Sequence, residues 1–445
     1  MAKRRSVWLV LGVLIVAAAG IAVACGDDGD DVAVEPTAAA SPVEGATPAA
    51  SGEIITFEGI LEKDPTVTKT DEVVWGYMFE ESGPLQGFGA PAGDGLKLAV
   101  QEINEAGGFQ VGDTIYTIRL IEHDTRSDVQ NTIAITTELI QDDGVNVIWG
   151  PASFGDPEAV QITQSQEVLH LCPCPQRELT SLSDVEKATG DFRWAFQTLP
   201  APSKFLPPGA RNTRRDYPEF DTFATICANS ETGKTFCKFF TDAYEAAGFE
   251  HVAEEFFPSE TTDFSPFLTN LKGDDPDIIL NFVDAGPEQL TLLRQSWELD
   301  VGEFYIGVAL PYELFESVVG SGIRDKIVSA GAAPRTHAQY TSDKAREFFE
   351  ETYRPFAGGG DLPPAAFAAL LTYDPAYMLV AAMQQAGTVD DTTAIAEALG
   401  QVHFNGIGED DLYFDERHLI VSGVDSCTVY QGEMTCMHNP PPEAE

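Results

Sequence analysis

The sequence predicts an α/β protein whose sheets are parallel and covered by helices on both faces. Short apolar runs of strand length alternate with longer segments whose apolar residues recur at helical spacing, and this alternation is typical of parallel sheets. The alternation occurs twice, before and after Pro200. A chain of 445 residues is long enough for two domains of ordinary size. We therefore expect two α/β units in one chain.

The first unit is predicted to open with a strand and to continue as a regular alternation. Leu96, Val100 and Ile103 mark one apolar helix face, and the pair of glycines at 107–108 ends that helix. The segment 54–70 has no clear period, and we expect at most a short added strand there. The predicted elements are strands at 73–79, 115–121 and 145–149 and helices at 92–106 and 129–141.

The second unit repeats the same rhythm. Strands are predicted at 223–228, 278–283, 304–308 and 327–330, and helices at 235–247 and 287–299. The helical stretch 365–386 is apolar enough to raise the question of a membrane span. Asp374, Pro375 and Gln384 lie within this stretch and argue against a span, so we interpret it as a core helix.

The N-terminal residues predict export and a lipid anchor. Basic residues at positions 3–5 precede an apolar run at 7–24, and small residues stand just before Cys25, as at a secretory cleavage site. The segment 21–26 resembles the lipobox of bacterial lipoproteins, in which the cysteine thiol receives a diacylglyceryl group. We therefore expect a signal peptide at 1–24 and lipidation of Cys25 on the outer face of the cell membrane. An uncleaved signal anchor is the alternative.

Composition indicates a flexible tether after the signal peptide and an acidic, globular protein beyond it. Residues 25–53 are acidic and then rich in Ala, Pro, Thr and Ser, which is typical of a flexible tether. The chain has 26 basic and 71 acidic residues and a formal charge of −45. Such a charge repels phosphate backbones, so we expect no nucleic-acid partner. Hydrophobic residues make up 43% of the chain, enough for large cores rather than a disordered acidic protein.

Six cysteines follow residue 25, and an even number in an exported chain indicates disulfides. Cys427 and Cys436 lie directly opposite each other if a hairpin turns at residues 431–432, where opposed side chains approach closely. Cys227 and Cys237 bracket a loop between a predicted strand and a predicted helix. We expect both pairs to be bridged.

The remaining cysteines, Cys172 and Cys174, are separated by Pro173 alone. A bridge across one residue would be strained. The sequence leaves open whether these two cysteines pair or stay as free thiols.

Several short motifs resemble, as an ordered set, a known family. The set covers the chain from Val73 to the C-terminus, and each motif alone is weak. The motifs are SGPLQGFG at 82–89, LAVQEINEAGG at 98–108, HDTRSD at 123–128, GPAS at 150–153, TYDPAY at 372–377, FNGIG at 404–408 and FDE at 414–416. Together they resemble the type I periplasmic binding proteins, specifically the group that binds leucine, isoleucine and valine.

The resemblance implies two Rossmann-like lobes joined by a hinge of three chain crossings, with a ligand closed between them. Lobe 1 would hold residues 73–199 and 332–417, and lobe 2 residues 200–331 and 418–438. It implies a solute receptor that delivers an amino acid or similar small polar molecule to an ABC permease, without enzymatic activity and without a cofactor. A ligand-sensing ectodomain that serves a membrane signalling protein is the alternative, and an exported enzyme ranks third.

The resemblance also implies site residues in lobe 1. In the family, serines in the loop after the third predicted strand bind a ligand carboxylate through hydroxyl and backbone N–H groups. Here Ser153 keeps that position and Phe154 replaces a second hydroxyl. A second loop places Cys174, as an N–H donor, and Gln176, as a side-chain donor, near the same carboxylate. Phe88 stands where the family often has an aromatic lid.

In lobe 2, Thr232 matches a ligand-facing position that is usually aromatic. Asp284 ends a predicted strand, and its carboxylate could pair with a ligand ammonium. The acid that the family uses for that task corresponds to Ala309, which puts amino-acid binding itself in question.

Two other site classes are disfavoured. The segment 228–235 fits a loose phosphate-binding pattern between a strand and a helix, and Asp284 could serve as its magnesium-binding Asp. Only one of the expected glycines remains, however, and a Cys227–Cys237 bridge would span the loop. The histidines are scattered without the spacing of metal ligands, so we expect no metal site.

Overall fold

The computed structural model describes residues 54–175, 193–258, 261–283, 286–307, 326–333, 341–363, 365–431 and 433–441, without the side chains of 231–232, 286–287 and 330–333. Several predictions concern residues outside these ranges. They are the signal peptide, Cys25, the tether, Gln176, Asp284 and Ala309, together with the side chain of Thr232.

The first sheet forms from residues 69–197. Its strands are β1 (Lys69–Phe79), β2 (Phe109–Val111), β3 (Thr114–Asp124), β4 (Val147–Trp149), β5 (Leu169–Cys172) and β6 (Ala195–Gln197). They lie in the order β2–β3–β1–β4–β5–β6. Only β2 runs antiparallel to its neighbour, so the sheet is parallel from β3 to β6.

The second sheet has seven strands from two parts of the chain. Its strands are β7 (Thr222–Ala228), β8 (Glu250–Phe257), β9 (Ile278–Phe282), β10 (Phe304–Gly307), β11 (Ile327–Ala333), and the C-terminal β14 (Val424–Tyr430) and β15 (Glu433–Asn439). Their order is β15–β14–β11–β10–β9–β7–β8. Strands β14 and β15 form an antiparallel hairpin that pairs with β11. A small ladder joins β12 (Tyr413–Phe414) to β13 (Ile420–Val421).

Helices cover the sheets. Those of the first part are α1 (Phe57–Leu61), α2 (Gln86–Glu105), α3 (Val129–Gln141) and α4 (Asp156–Ser165). Those of the middle part are α5 (Pro202–Asp216), α6 (Glu231–Ala246), α7 (Ser265–Lys272) and α8 (Gly286–Glu298). The last part has α9 (Asp343–Glu347), a π-helix (Phe348–Tyr353), α10 (Arg354–Phe356), a 3₁₀ turn (Ala366–Ala369), α11 (Leu370–Ala386) and α12 (Thr392–Leu399).

Both faces of the second sheet are buried, as the α/β prediction requires. In β9, Ile278 and Leu280 belong to one apolar cluster and Ile279 belongs to another. Because successive strand residues point to opposite faces, these two clusters lie on opposite sides of the sheet. The predicted α/β class with covered parallel sheets is confirmed.

The apolar stretch at 366–386 is long and apolar enough to cross a membrane, yet its most apolar 18-residue window is fully buried inside the protein, and only residues 384–386 at its end are partly exposed. Its helix α11 packs against α2, where the Thr372 hydroxyl donates to the Ala92 carbonyl over 2.5 Å. This burial supports the interpretation as a core helix.

The short strand expected at 54–70 is wrong for most of that segment, because residues 57–61 form α1 and only Ile55 makes an isolated bridge, to Phe404.

The chain passes between the two sheets after β6, after β11 and between β13 and β14. Hydrogen bonds tie these passages together. The Gln197 N–H donates to the His418 carbonyl over 2.9 Å, and the Gly423 N–H donates to Glu409 Oε2 over 2.8 Å. The three passages give the two-lobe architecture, and the lobe limits at 199/200, 331/332 and 417/418 stay a prediction.

Candidate ligand site

The candidate site lies at the carboxyl edge of the first sheet. Strands β1, β3 and β4 run parallel, so the loops that follow them, at 80–85, 125–128 and 150–155, meet at the same edge. Ligands of open α/β sheets bind at this edge. The geometry of these loops therefore decides what lobe 1 can offer a ligand.

The loop after β4 wraps around a carboxylate of the protein itself. Glu80, the first residue after β1, is 0% exposed. Its Oε2 accepts the N–H of Ala152 over 2.9 Å, and its Oε1 accepts the N–H groups of Ser153 over 3.0 Å and Phe154 over 3.2 Å. Successive backbone N–H groups that converge on one point make an anion-binding concavity. In this protein Glu80 fills it.

Burial and hydrogen bonding shift the pKa of the Glu80 carboxyl in opposite directions. Burial raises the pKa of its carboxyl above the ordinary value, because the charged form loses its hydration. The N–H groups of Ala152, Ser153 and Phe154 lower the pKa, but less than burial raises it.

Gly150 positions this loop. Its φ is +85°, a left-handed conformation that side chains disfavour, and a Cβ at this residue would lie 2.2 Å from the Met78 carbonyl oxygen. The loop therefore approaches β1 so closely that only glycine fits. This close approach brings the N–H groups of residues 152–154 within reach of Glu80.

Ser153 and Phe154 lie at the predicted place but with a different arrangement. The Ser153 N–H, expected to hold a ligand carboxylate, donates to Glu80 in this structure. Phe154 is 36% exposed, and its carbonyl accepts the Thr132 hydroxyl over 2.8 Å, which ties the loop to α3. Contact of either side chain with a ligand stays a prediction.

The loop after β1 is held by Asp124 at the end of β3. This carboxylate accepts the hydroxyl of Ser82 over 2.6 Å and the N–H groups of Ser82, Glu81 and Arg126. Burial would raise the pKa of Asp124, but these hydrogen bonds outweigh it and hold the pKa below the ordinary value. Asp124 therefore stays charged and acts as a fixed anchor for this loop.

Lys97 forms ion pairs with two of the carboxylates at this edge of the sheet, those of Glu81 and Glu122. Its Nζ lies 2.7 Å from Glu81 Oε1 and 3.2 Å from Glu122 Oε2, and the Tyr77 hydroxyl donates to the same Glu81. The ammonium group is therefore already shared between two carboxylates.

Phe88 lies in the first turn of α2, close in sequence to the loop after β1. It is half-buried and packs edge-to-face against Phe367, with ring centroids 5.8 Å apart. Its position leaves part of the ring exposed, and its role as an aromatic lid stays a prediction.

The loop after β5 brings Cys172 and Cys174 together in a disulfide, which answers the question that the sequence left open. Both are buried, Cys174 to 1% exposure. They line a small cavity together with Asp156, His170, Phe196 and others. The backbone N–H of Cys174 as a ligand donor stays a prediction.

His170 stands beside this cavity. Its Nε2 donates to the Gly150 carbonyl over 2.6 Å, and Thr163 Oγ1 lies 3.4 Å from its Nδ1. Burial lowers the pKa of His170 to about 4, so the ring is neutral at physiological pH. The neutral ring links β5 to the same Gly150 that shapes the loop around Glu80.

Among the described residues, two groups have the composition of metal sites. Asp156, His170 and Cys172 lie together, but the Cys172 sulfur is engaged in a disulfide and is no thiolate ligand. A second group, of His123, Glu138 and Asp143, is a surface cluster that nothing else in the structure marks as a site.

In lobe 2, the phosphate-binding interpretation has little geometric support. Only two residues separate β7 from α6, and the Ser230 hydroxyl caps α6 by accepting the Gly233 N–H over 3.0 Å. A Cβ on Gly233 would lie 2.1 Å from the Ala228 carbonyl, so this glycine serves close helix–strand packing. A disulfide joins Cys227 to Cys237 across this turn.

The C-terminal hairpin pairs Cys427 directly with Cys436 in its register, and a disulfide joins them. The last pair of this register is Tyr430 with Glu433, as expected for the predicted hairpin.

The sequence reasoning missed Glu80. One signal for it exists: Glu80 is the first charged residue after an apolar strand, where a side chain at the carboxyl edge is expected. Its partners come from a loop about 70 residues further along the chain, which no local pattern shows.

A model of the family described as periplasmic binding protein matches residues 73–431 of this chain. This range includes every strand of both sheets except the start of β1 and the C-terminal β15. The chain belongs to the periplasmic binding protein family. The resemblance found in the sequence is confirmed.

Known relatives agree with this assignment. The chain is 24% identical over 220 residues to Leu/Ile/Val-binding protein homolog 8 of Brucella abortus (strain 2308), a match that covers 47% of this chain and 51% of the relative. It is 27% identical over 219 residues to homolog 7 of Brucella melitensis, with the same shares. The chain thus spans about half the length of the curated relatives that it matches.

Solved structures show the same two-lobe fold. The leucine binding protein LivK of Thermotoga maritima superposes with a TM-score of 0.66 at 20% identity, over 83% of this chain and 99% of that one. LivJ of Streptococcus pneumoniae, in complex with isoleucine, has a TM-score of 0.66 at 24% identity, over 83% and 100%. A solute binding protein of R. palustris in complex with benzoate has a TM-score of 0.66 at 17% identity, over 84% and 98%.

Proposed function

We propose that this periplasmic binding protein is an extracytoplasmic lipoprotein that captures an amino acid or related small polar molecule and delivers it to an ABC permease. The observation that carries the proposal is the family match over residues 73–431, which spans two lobes with parallel sheets. The carboxyl edge of the first sheet is built from polar loops that rigid contacts hold in place. A prebuilt polar edge of this kind is suited to a small polar ligand.

The mechanism follows from the two lobes. A ligand that contacts both lobes binds the closed arrangement more tightly than the open one, and it shifts the population toward the closed arrangement by that difference. A micromolar dissociation constant corresponds to about 8 kcal/mol. The permease would then recognise the closed form.

The proposed location rests on the N-terminus. A basic cluster, an apolar run and the small residues before Cys25 support export and lipidation at that cysteine. The acidic and Ala/Pro-rich residues 25–53 would hold the binding lobes away from the membrane surface.

In lobe 2, we propose that Asp284 contacts an ammonium group of the ligand if the ligand is an amino acid. Asp284→Asn would then weaken amino-acid binding by about 1.5–3 kcal/mol, the range for hydrogen bonds to charged groups. Tight amino-acid binding that Asp284→Asn leaves unchanged would contradict this assignment.

A thermal-shift screen tests the proposal. The purified protein is heated with individual amino acids, amides, urea and short carboxylates. A ligand at 100 times its dissociation constant stabilises the native state by about 2.7 kcal/mol, so a true solute raises the melting temperature by several degrees. If no compound in the screen raises it, the receptor proposal fails.

A further inference from the structure

The loop that follows β4 points to the chemical class of the ligand. Backbone N–H groups are the donors that a parallel sheet offers to an anion at its carboxyl edge. In this protein three successive N–H groups, of residues 152–154, all donate to the carboxylate of Glu80. An anionic ligand therefore meets a concavity that is already filled.

Glu80 is held in this position by its surroundings. It is fully buried, and α2 packs so closely on it that a Cβ on Gly89 would lie 2.7 Å from Glu80 Cβ. Gly150 holds the donating loop against β1 in the same way. A ligand carboxylate could take its place only by displacing Glu80 from three hydrogen bonds.

The charged residues around the loop also disfavour an anionic ligand. Glu81 and Asp124 lie at the same edge, and Lys97 is shared between Glu81 and Glu122. A second carboxylate placed near residues 152–154 would find these N–H groups already occupied by Glu80 and would lie near the charged Asp124, and like charges at short range repel. Exposed Arg126, in the loop after β3, offers the opposite charge and is the alternative anchor for an anion.

We propose that Glu80 acts as a built-in carboxylate that selects against carboxylate anchoring in lobe 1, so that the ligand presents an amide or amine to this edge. This inference rests on the proposed solute-receptor function and specifies its ligand class. Glu80 is a specificity-determining residue in this account, and it acts through the loop rather than by touching the ligand.

Matched pairs of compounds test the inference. The purified protein is titrated by calorimetry with L-leucine and L-leucinamide, with L-isoleucine and its amide, and with benzoate and benzamide. Each pair keeps the same side group and exchanges a carboxylate for a carboxamide. We expect the amide of at least one pair to bind roughly tenfold or more tightly than its acid.

Two variants assign the preference to Glu80. Glu80→Gln replaces one of the two accepting oxygens by an NH2 group, which cannot accept from the loop, so part of the N–H concavity becomes available to a ligand acid. We expect the preference for the amide to shrink by roughly tenfold. Glu72→Gln is the control, because Glu72 lies in β1, the strand that Glu80 follows, but is exposed and paired with Arg119 over 2.7 Å. This variant should keep the wild-type preference.

Each outcome decides a separate point. Acids that bind wild-type protein as tightly as their amides, through Arg126 or otherwise, overturn the inference without the need for any variant. An amide preference that a folded Glu80→Gln protein retains also overturns it. If neither member of any pair binds and the broader screen is empty, the receptor proposal itself is contradicted and the inference falls with it.

Discussion

The carboxylate of Glu80 accepts the backbone N–H of Ala152 over 2.9 Å, although the two residues are separated by more than seventy positions. This bond joins the end of β1 to the loop after β4, at the edge where the ligand is expected. The loop is thereby fixed before any ligand arrives. A site whose donors are fixed in advance loses less conformational freedom on binding.

Gly150 should be essential for this arrangement. Gly150→Ala places a methyl group 2.2 Å from the Met78 carbonyl oxygen at a φ of +85°, and we expect it to lower the free energy of unfolding by about 2–5 kcal/mol. Gly144→Ala is the control, because Gly144 also has a positive φ of +68° but open space around it. Its loss should be about 1–2 kcal/mol. Urea unfolding measures both, and equal losses would contradict the close approach.

The stability of lobe 1 should fall at acidic pH because of His170. Burial lowers the pKa of His170 from 6.5 to about 4, so below pH 6.5 the unfolded chain binds a proton that the folded protein rejects. Between pH 6.5 and 4 this residue should remove about 3 kcal/mol of unfolding free energy. The contribution is fully present above pH 6.5 and is lost as the pH falls.

Comparison with His170→Gln isolates this effect. The raised pKa of Glu80 acts in the opposite direction, since a protonated carboxyl is easier to bury, so the absolute pH profile combines several groups. The difference between wild type and variant cancels the groups that they share. We expect the variant to be less stable at pH 7 but to lose less stability on acidification. Parallel pH profiles would show that His170 does not titrate as described.

The bridge between Cys427 and Cys436 should stabilise the C-terminal hairpin. It closes a short loop, and a bridge of that length contributes about 2–3 kcal/mol by restricting the unfolded chain. The double substitution Cys427→Ala and Cys436→Ala should therefore lower the unfolding free energy by that amount in oxidising buffer. Non-reducing peptide mapping is the direct check on the exported protein. Recovery of both cysteines as free thiols would exclude the bridge.

Membrane attachment should depend on Cys25. In Cys25→Ser the thiol that would carry the lipid is absent. We therefore expect the variant to lose lipid labelling, and the membrane fraction to lose the lipidated mature form. Fractionation and labelling with a radioactive fatty acid measure this. Unchanged membrane retention of an unlabelled wild-type protein would instead indicate an uncleaved signal anchor.

Regular elements with a clear apolar period were predictable from the sequence. Helix α3 at 129–141 has the predicted limits, and the side chain of Asp128 caps its first turn by accepting the Asn131 N–H. Helix α2 starts six residues before its predicted start, since glycines and Pro91 in its first turns obscured the helical pattern. Helix α5 was missed because Pro207 and Pro208 lie within it. Packing of its apolar face overrides the low helix propensity of these residues.

The candidate site was less predictable than the fold. Ser153 and Phe154 were expected in the site because of the resemblance to the family; they lie in the loop after β4, and their contact with a ligand stays a prediction. The engagement of their N–H groups by Glu80 depends on how closely the loop after β4 approaches β1, which Gly150 permits, and on the close packing of α2 against Glu80 at Gly89. Such a tertiary contact leaves no periodic signal in the sequence.

Isothermal titration of the purified protein with the strongest compound of the screen tests the central claim most directly. As a solute receptor, the protein should bind one molecule per chain with a dissociation constant in the micromolar range or tighter, which corresponds to about 8 kcal/mol or more. The compound should be recovered unchanged after prolonged incubation. Failure of every screened solute to bind, or chemical turnover of the bound compound, would contradict the account.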